Sequence, residues 1–233
     1  MISILHKIGM TDAMITSSII TIVICIIAII ISRKISVEEP AGPVQNMVEM
    51  GLEKLHGFFE DLMGEEMCKK YFPLVGTLFI YILICNYSGL LPLSGHAPGF
   101  QAPTSDINFP AGLALMVIVL VQLIGIREHR GMGTYKRMFQ PFIFIFPLML
   151  MDELAKPISL TFRLYGNTFG DEQVVDVLRE LCPVLLPVVM QFLVVILALI
   201  QAVVFALLTA IYIGEAVEKE PTLPLEPNRY NLS

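Results

Sequence analysis

Charged residues are what this 233-residue sequence has least of: they make up 15% of it, against 55% hydrophobic residues. A soluble domain carries about 25% charged residues, so the composition excludes an ordinary soluble fold. Four stretches, 13–31, 72–93, 107–126 and 183–214, contain no Asp, Glu, Lys or Arg at all. Each approaches or exceeds the roughly 20 residues a membrane-crossing helix needs. Other absences narrow the function. No basic cluster marks a nucleic-acid surface, and the net charge of -6 is modest. Cys25, Cys68, Cys85 and Cys182 show no C-x-x-C spacing, and His6, His56, His96 and His129 form no pair at ligand spacing. That argues against a metal centre or a disulfide framework, and nothing in the sequence calls for a cofactor. No repeat of about 20–50 residues and no duplicated half is present, unlike many secondary transporters.

The charges in the loops orient the spans. Arg33 and Lys34 follow the first run, Lys69 and Lys70 precede the second, and Arg127, Arg130, Lys136 and Arg137 follow the third. The loop 94–106 has no Lys or Arg. The positive-inside rule places 32–71 and 127–138 in the cytoplasm, with the N-terminus and the 94–106 loop outside and the C-terminus cytoplasmic. The first run reads as a retained anchor. It exceeds the roughly 7–15-residue core of a signal peptide, and "SRKISVEEP" offers no small-residue cleavage site. No Arg- and Ser-rich transit peptide precedes it, which fits a bacterial or organelle-encoded product, in a bacterial plasma membrane ahead of a thylakoid membrane.

The expected fold class is an all-α integral membrane protein with about five membrane-crossing helices and one amphipathic interfacial helix, in one membrane domain. The first span is 13–31, and 72–93 and 107–126 are further spans. In 44–63, Val48, Leu52, Leu55, Phe59 and Met63 recur at helical spacing opposite Glu49, Glu53 and Glu60. That pattern suits a helix lying along the cytoplasmic interface, or one docked on a protein partner. The 32-residue run 183–214 would be about 48 Å long as a helix. Fitting it into a core about 30 Å thick needs a lean near 50°, unless Pro187 breaks its first turns. Residues 139–181 and 185–217 therefore form a long, strongly tilted hairpin. The proline-rich 219–233 is a disordered tail.

Polar residues inside this hairpin carry the functional signal. A charge near the bilayer centre costs from about 3 to more than 10 kcal/mol, so it should face protein or water. Lys156, Ser159, Arg163 and Asn167 share one helix face at steps of three, four and four. Glu172 follows Arg163 by nine residues, about half a turn away around the helix. The two cannot form an intrahelical pair, which needs a spacing of three or four. Asp171 is intermediate, and Asp176 lies one turn beyond Glu172 on its face. A permanent cation on one side and a titratable acid on the other suits a divided proton path; structural pairing of the charges is the plainer alternative. On the last helix Gln201, Phe205, Leu208, Tyr212 and Glu215 form a matching stripe, with Gln201 placed to meet Arg163 or Asn167. Gly166 and Gly170, at small-x-x-x-small spacing, would let the two helices approach closely.

These residues resemble a known family. "KPISLTFRLYGNTFGDEQVV" (156–175) is similar to the signature of subunit a of F-type ATP synthases. "NYSGLLP" (86–92), "APTSDINFPAGLAL" (102–115) and "IQAVVFALLTAIYIGEAVE" (200–218) match too, in the same order. The resemblance covers roughly 72–218 and is closest to bacterial and chloroplast forms. It implies a non-catalytic stator that provides two half-channels to a rotating c-ring. The implied partners are that ring, peripheral stalk (b-type) subunits and the lipid bilayer, and the implied ion is H+ or, alternatively, Na+. By resemblance Arg163 is the essential arginine, Asn167 its motif partner, Gln201 the polar partner on the last helix and Glu172 a half-channel acid. Lys156 and Ser159 match lesser motif positions, and Asp106 and Asn108 polar positions on the external side. Some members pair the half-channel acid with a histidine one to two turns before the glutamine. Here Val194 stands in that region, which leaves Asp171 or Asp176 as the expected second titratable group. The alternative reading is a stand-alone antiporter that binds an anion at Arg163.

Overall fold

Six α-helices and one short 3-10 turn account for nearly all of the residues that the computed structural model describes, namely 11–34, 43–90, 102–128, 146–181 and 185–217. In chain order they are α1 (Asp12–Lys34), α2 (Pro43–Met63), α3 (Glu65–Ser88), the 3-10 turn Pro103–Ser105, α4 (Asn108–Glu128), α5 (Phe146–Leu181) and α6 (Leu185–Val217). No strand occurs among the described residues, so the all-α class stands. By length and apolarity α1, α3, α4 and α6 can each cross a membrane. α5, at 36 residues, is long enough but carries too many charges to stand in lipid alone. It packs along α4 and α6, which supply the cover. The expected helix residues 139–145 and the tail 219–233 lie outside the described residues.

Helix boundaries follow local chemistry more than hydropathy. Most of the run expected at 72–93 falls in a helix that starts at Glu65 and ends at Ser88, and 91–93 lie outside the described residues. Gly64, at φ 79°, turns the chain out of α2, and Glu65 and Glu66 place negative charge in the first turn of α3. Pro187 does not shorten α6. It falls in the first turn of a helix that begins at Leu185, where its missing N–H is no loss. α6 therefore runs 33 residues, or about 50 Å. Pro157 likewise sits inside α5 without ending it, and Thr161 Oγ1 donates to its carbonyl at 2.8 Å.

The core lies between α3, α4, α5 and α6, where Ile82, Val117, Leu160, Leu164, Phe205 and Ile213 are fully or nearly fully buried. α6 turns a column of small side chains inward, Ala198, Ala202, Ala206 and Ala210, each four residues from the last. Small side chains let helix backbones approach, which is how helices in lipid gain packing without a hydrophobic force between them. Gly125 does the same for α4. A Cβ there would stand 3.3 Å from the Ala216 carbonyl oxygen on α6. α2 lays Phe59 and Met63 onto the core, while Met47, Phe58 and Leu62 remain exposed. α1 touches only the edge of the bundle, near α3 and the 3-10 turn, and Ile22, Ile26 and Ile29 are exposed on it.

Candidate functional site

Arg163 is exposed, on a side of α5 that no other described helix covers. Ser159, Phe162, Gly166 and Asn167 are exposed beside it, while Leu160, Thr161 and Leu164 point into the bundle. No ion pair or hydrogen bond joins the Arg163 side chain to any described residue. An arginine cannot shed its charge, so a side chain left this way keeps its full demand for an anionic or aqueous partner. Asn167, one turn along, donates from Nδ2 to Gln201 Oε1 of α6 at 2.6 Å. Of the two partners expected for Gln201, the structure selects Asn167. Gln201 is 3% exposed, and its Nε2 has no partner among the described residues.

Glu172 occupies a separate recess. It is half-buried at the end of the bundle that carries the Pro103–Ser105 turn, within hydrogen-bonding reach of Ser105. Ser105 Oγ also lies 2.9 Å from the Ala102 carbonyl oxygen. The wall opposite is Gly89, where a Cβ would come within 4.0 Å of Glu172 Oε1. Of the two acids next to it, Asp176 is engaged by Arg179 at 3.0 Å. Asp171 is half-buried and forms no ion pair or hydrogen bond with a described residue. Asp106 and Asn108, on the same end, are occupied with each other. Asp106 Oδ1 accepts from the Asn108 backbone N–H at 3.1 Å and from its Nδ2 at 2.9 Å, and Oδ2 accepts from Thr11 Oγ1 at 3.1 Å. They tie the start of α4 to α1 and border a cleft of about 510 Å³ between α1, α3 and α4.

A third group closes the opposite end of the hairpin. Lys156 Nζ lies 2.9 Å from Glu215 Oε2 on α6 and 3.5 Å from Glu153 Oε2 on its own helix, and 5.2 Å from the Tyr212 ring centroid. Glu153 in turn accepts from Gln122 Nε2 of α4, so one polar network joins α4, α5 and α6. Gln201, Tyr212 and Glu215, the polar members of the stripe on α6, all meet α5. The two glycines do not behave as expected. A Cβ at Gly166 or Gly170 would meet nothing within 4 Å in this chain. Both lie off the α5–α6 contact, and the alanines of α6 give the close approach instead, toward the rest of the core.

Four contributors were not singled out from the sequence: Asn86, Ser105, Gln122 and Glu153. The signal for three of them was present. Asn86 and Gln122 are amides inside uncharged runs, the same anomaly that marks Gln201. Glu153 lies one turn before Lys156, at the spacing of a helical ion pair. Ser105 carries no comparable mark.

A long antiparallel hairpin with a cation that no described residue pairs on its exposed side, an acid in a recess at one end and an ion network at the other defines a class. This is a multi-pass, all-α membrane protein built to handle ions within the bilayer. The comparisons with known proteins narrow that class. A family profile described as "ATP synthase A chain" matches residues 14–214. "ATP synthase subunit a" of Moorella thermoacetica is 41% identical over 178 residues, covering 76% of this chain and 78% of that protein. The chloroplastic ATP synthase subunits a of Stigeoclonium helveticum and Oedogonium cardiacum are 38% and 37% identical over 183 residues. Each alignment covers 77% of this chain, and 74% and 72% of the respective relatives. The chain belongs to the ATP synthase A chain family, and is therefore a non-catalytic, ion-transporting membrane subunit.

Proposed function

We propose that this chain is the stator of the membrane sector of an ATP synthase, and that it offers protons two half-channels that meet a rotating c-ring on either side of Arg163. The observation that carries the proposal is the position of Arg163: uncovered, mid-hairpin and without a partner among the described residues. A lipid-facing arginine is costly, so the uncovered side calls for a partner that brings its own anion. A carboxylate on each ring subunit supplies it. That carboxylate must be neutral to turn through lipid; beside Arg163 the ionised form is favoured, and the proton leaves.

The two other polar groups give the path its ends. Glu172, in its recess beside the Pro103–Ser105 turn, is the acid of one half-channel. The Lys156 network stands where the other would open. Arg163 lies between them, and its fixed charge opposes direct passage of a proton from one to the other. Across the membrane, a potential biases the exchange by about 2.3 kcal/mol per charge per 100 mV. By the loop charges, the Glu172 end is external and the Lys156 end cytoplasmic, in a bacterial plasma membrane with b-type stalk subunits alongside. Asp106 and Asn108 take a structural part, fixing the start of α4. Arg163→Ala is expected to abolish ATP-driven proton pumping by membrane vesicles while the soluble head still hydrolyses ATP. Coupled pumping that survives this change would refute the proposal. Repeating the assay with and without Na+ distinguishes the ion.

A further inference from the structure

Four hydroxyls line the cleft between α1, α3 and α4, and each turns its proton back into the protein. Ser17 Oγ donates to the Met14 carbonyl at 2.9 Å, Thr21 Oγ1 to the Ser17 carbonyl at 2.8 Å and Thr77 Oγ1 to the Pro73 carbonyl at 2.6 Å. Tyr81 donates to Thr21 Oγ1, 3.1 Å away, because Thr21 has already used its only proton. Leu78, Phe109, Leu113 and Met116 supply much of the remaining wall. Water settles where several polar partners are free, and apolar-lined cavities stay dry. At about 510 Å³ the cleft is the size of a ligand site, about 300–1,000 Å³, and its walls suit hydrocarbon. It is open to the side, since Met14, Thr77, Gly112 and Met116 are all exposed.

The depth of the cleft identifies what fills it. Its deepest lining residues are Thr21, nine residues from the start of α1, Met116, eight from the start of α4, and Thr77, eleven from the end of α3. Those separations are about 14, 12 and 17 Å. One leaflet is half of a hydrocarbon core about 30 Å thick, so on all three helices the cleft stops near the midplane. A partner helix would run on through the other leaflet, whereas an acyl chain ends there. At the mouth Asp106 is the one charged residue of the lining. Its carboxylate accepts only from the uncharged Asn108 and Thr11, so its charge is not neutralised. We propose that the cleft holds one acyl chain of a phospholipid whose headgroup carries an ammonium, in the leaflet on the Asp106 side. The ammonium meets Asp106, and an anionic headgroup is repelled. The chain seals α1, which otherwise touches only the edge of the bundle, to α3 and α4. This lipid site is independent of the stator reading.

The test is photolabelling of the intact complex in vesicles of phosphatidylethanolamine and phosphatidylglycerol. A trace of phosphatidylethanolamine carries a diazirine in its acyl chain, and the label is mapped along this chain after illumination. Label is expected to concentrate around Met14 and Met116, above the level on the exposed face of α1 at Ile22, Ile26 and Ile29. Unlabelled phosphatidylethanolamine is expected to compete better than phosphatidylglycerol, by up to about fivefold for a partly exposed ion pair. A Cβ at Gly112 meets nothing within 4 Å, so Gly112→Leu places its side chain in the cleft. It is expected to cut labelling there severalfold and to leave it unchanged at Ile26. Asp106→Asn is expected to keep the label and lose the preference between headgroups. Label at the cleft no higher than at Ile26 overturns the proposal, as does a cleft cross-linked to a helix of another subunit instead. Undiminished cleft label in assembled Gly112→Leu overturns it too. If that variant is not retained in the membrane, competition in the parent decides. Selective displacement by phosphatidylethanolamine supports the site, and equal displacement by the two lipids overturns it.

Discussion

Adding one methyl group at Gly89 tests how tightly the Glu172 recess is closed. Gly89 has φ −68° and ψ −24°, an ordinary helical backbone that alanine adopts without strain. Steric contact is therefore the whole of the effect. A Cβ there would stand 3.0 Å from the Ala102 Cβ, 3.4 Å from the Asn86 carbonyl oxygen and 4.0 Å from Glu172 Oε1. Carbon atoms pack at about 3.5–4.0 Å, so the Ala102 side must retreat by about 0.5–1 Å. Overpacking of this kind costs about 1–3 kcal/mol, while the loss of a glycine from the unfolded chain returns about 0.4–1 kcal/mol. A net loss of about 1 kcal/mol follows, too little to prevent folding. The retreat carries Ser105 with it, away from Glu172. A barrier raised by about 1 kcal/mol slows transfer roughly fivefold. The assay is proton uptake, driven by a potassium diffusion potential, into vesicles whose soluble head has been removed. Gly89→Ala is expected to conduct several-fold more slowly than the parent, and the bulkier Gly89→Val more slowly still. Parental rates for both would refute the reasoning, because neither the closeness of Ala102 nor the Ser105–Glu172 contact would then matter.

Two further expectations use the other contacts of the hairpin. Lys156→Met removes the pair with Glu215, whose side chain is 51% exposed and so contributes only about 0.2–1 kcal/mol. It also removes the contact over Tyr212, worth about 0.5–1 kcal/mol; heat inactivation of coupled pumping should shift down by about 2–4 °C, and an unchanged midpoint would remove the network from the account. Gly166→Ala places a methyl in open space within this chain and should raise helix stability by up to about 1 kcal/mol. In the assembled complex the same methyl faces the side assigned to the ring. Normal retention of the subunit with reduced pumping is expected, and pumping at the parental rate would mean that no partner helix comes close there.

The sequence disclosed the anomalies better than their partners. Arg163, Asn167 and Gln201 stand out because polar atoms inside an apolar run are costly, and that cost is legible one residue at a time. The partner of each depends on which helices meet, and Asn86 and Ala198 are 112 residues apart. Hydropathy gives little help with this. In lipid both faces of a helix are apolar, so α6 shows no clear polar side over most of its length, and apart from Gln201 its inward face is marked by the alanine column. The same silence misassigned Gly166 and Gly170. Small residues at that spacing mark a close approach, but the pattern does not say whether the neighbour belongs to the same chain. Ser105 was out of reach because its importance comes wholly from a turn that returns it to Glu172.

The alanine column on α6 has a mechanical side. Alanine has no rotamers beyond its own methyl, so a surface built from Ala198, Ala202, Ala206 and Ala210 has nothing to rearrange when it is pushed. Longer side chains would yield by changing χ angles and would leave the backbones where they were. A lateral load on the uncovered side of α5 and α6 is instead handed to the helices behind them as movement of whole cylinders, which the Gly125–Ala216 contact and the bond from Asn86 to Ala198 resist. The bundle is stiffest where α6 meets its neighbours, directly behind the wall against which a turning partner would press.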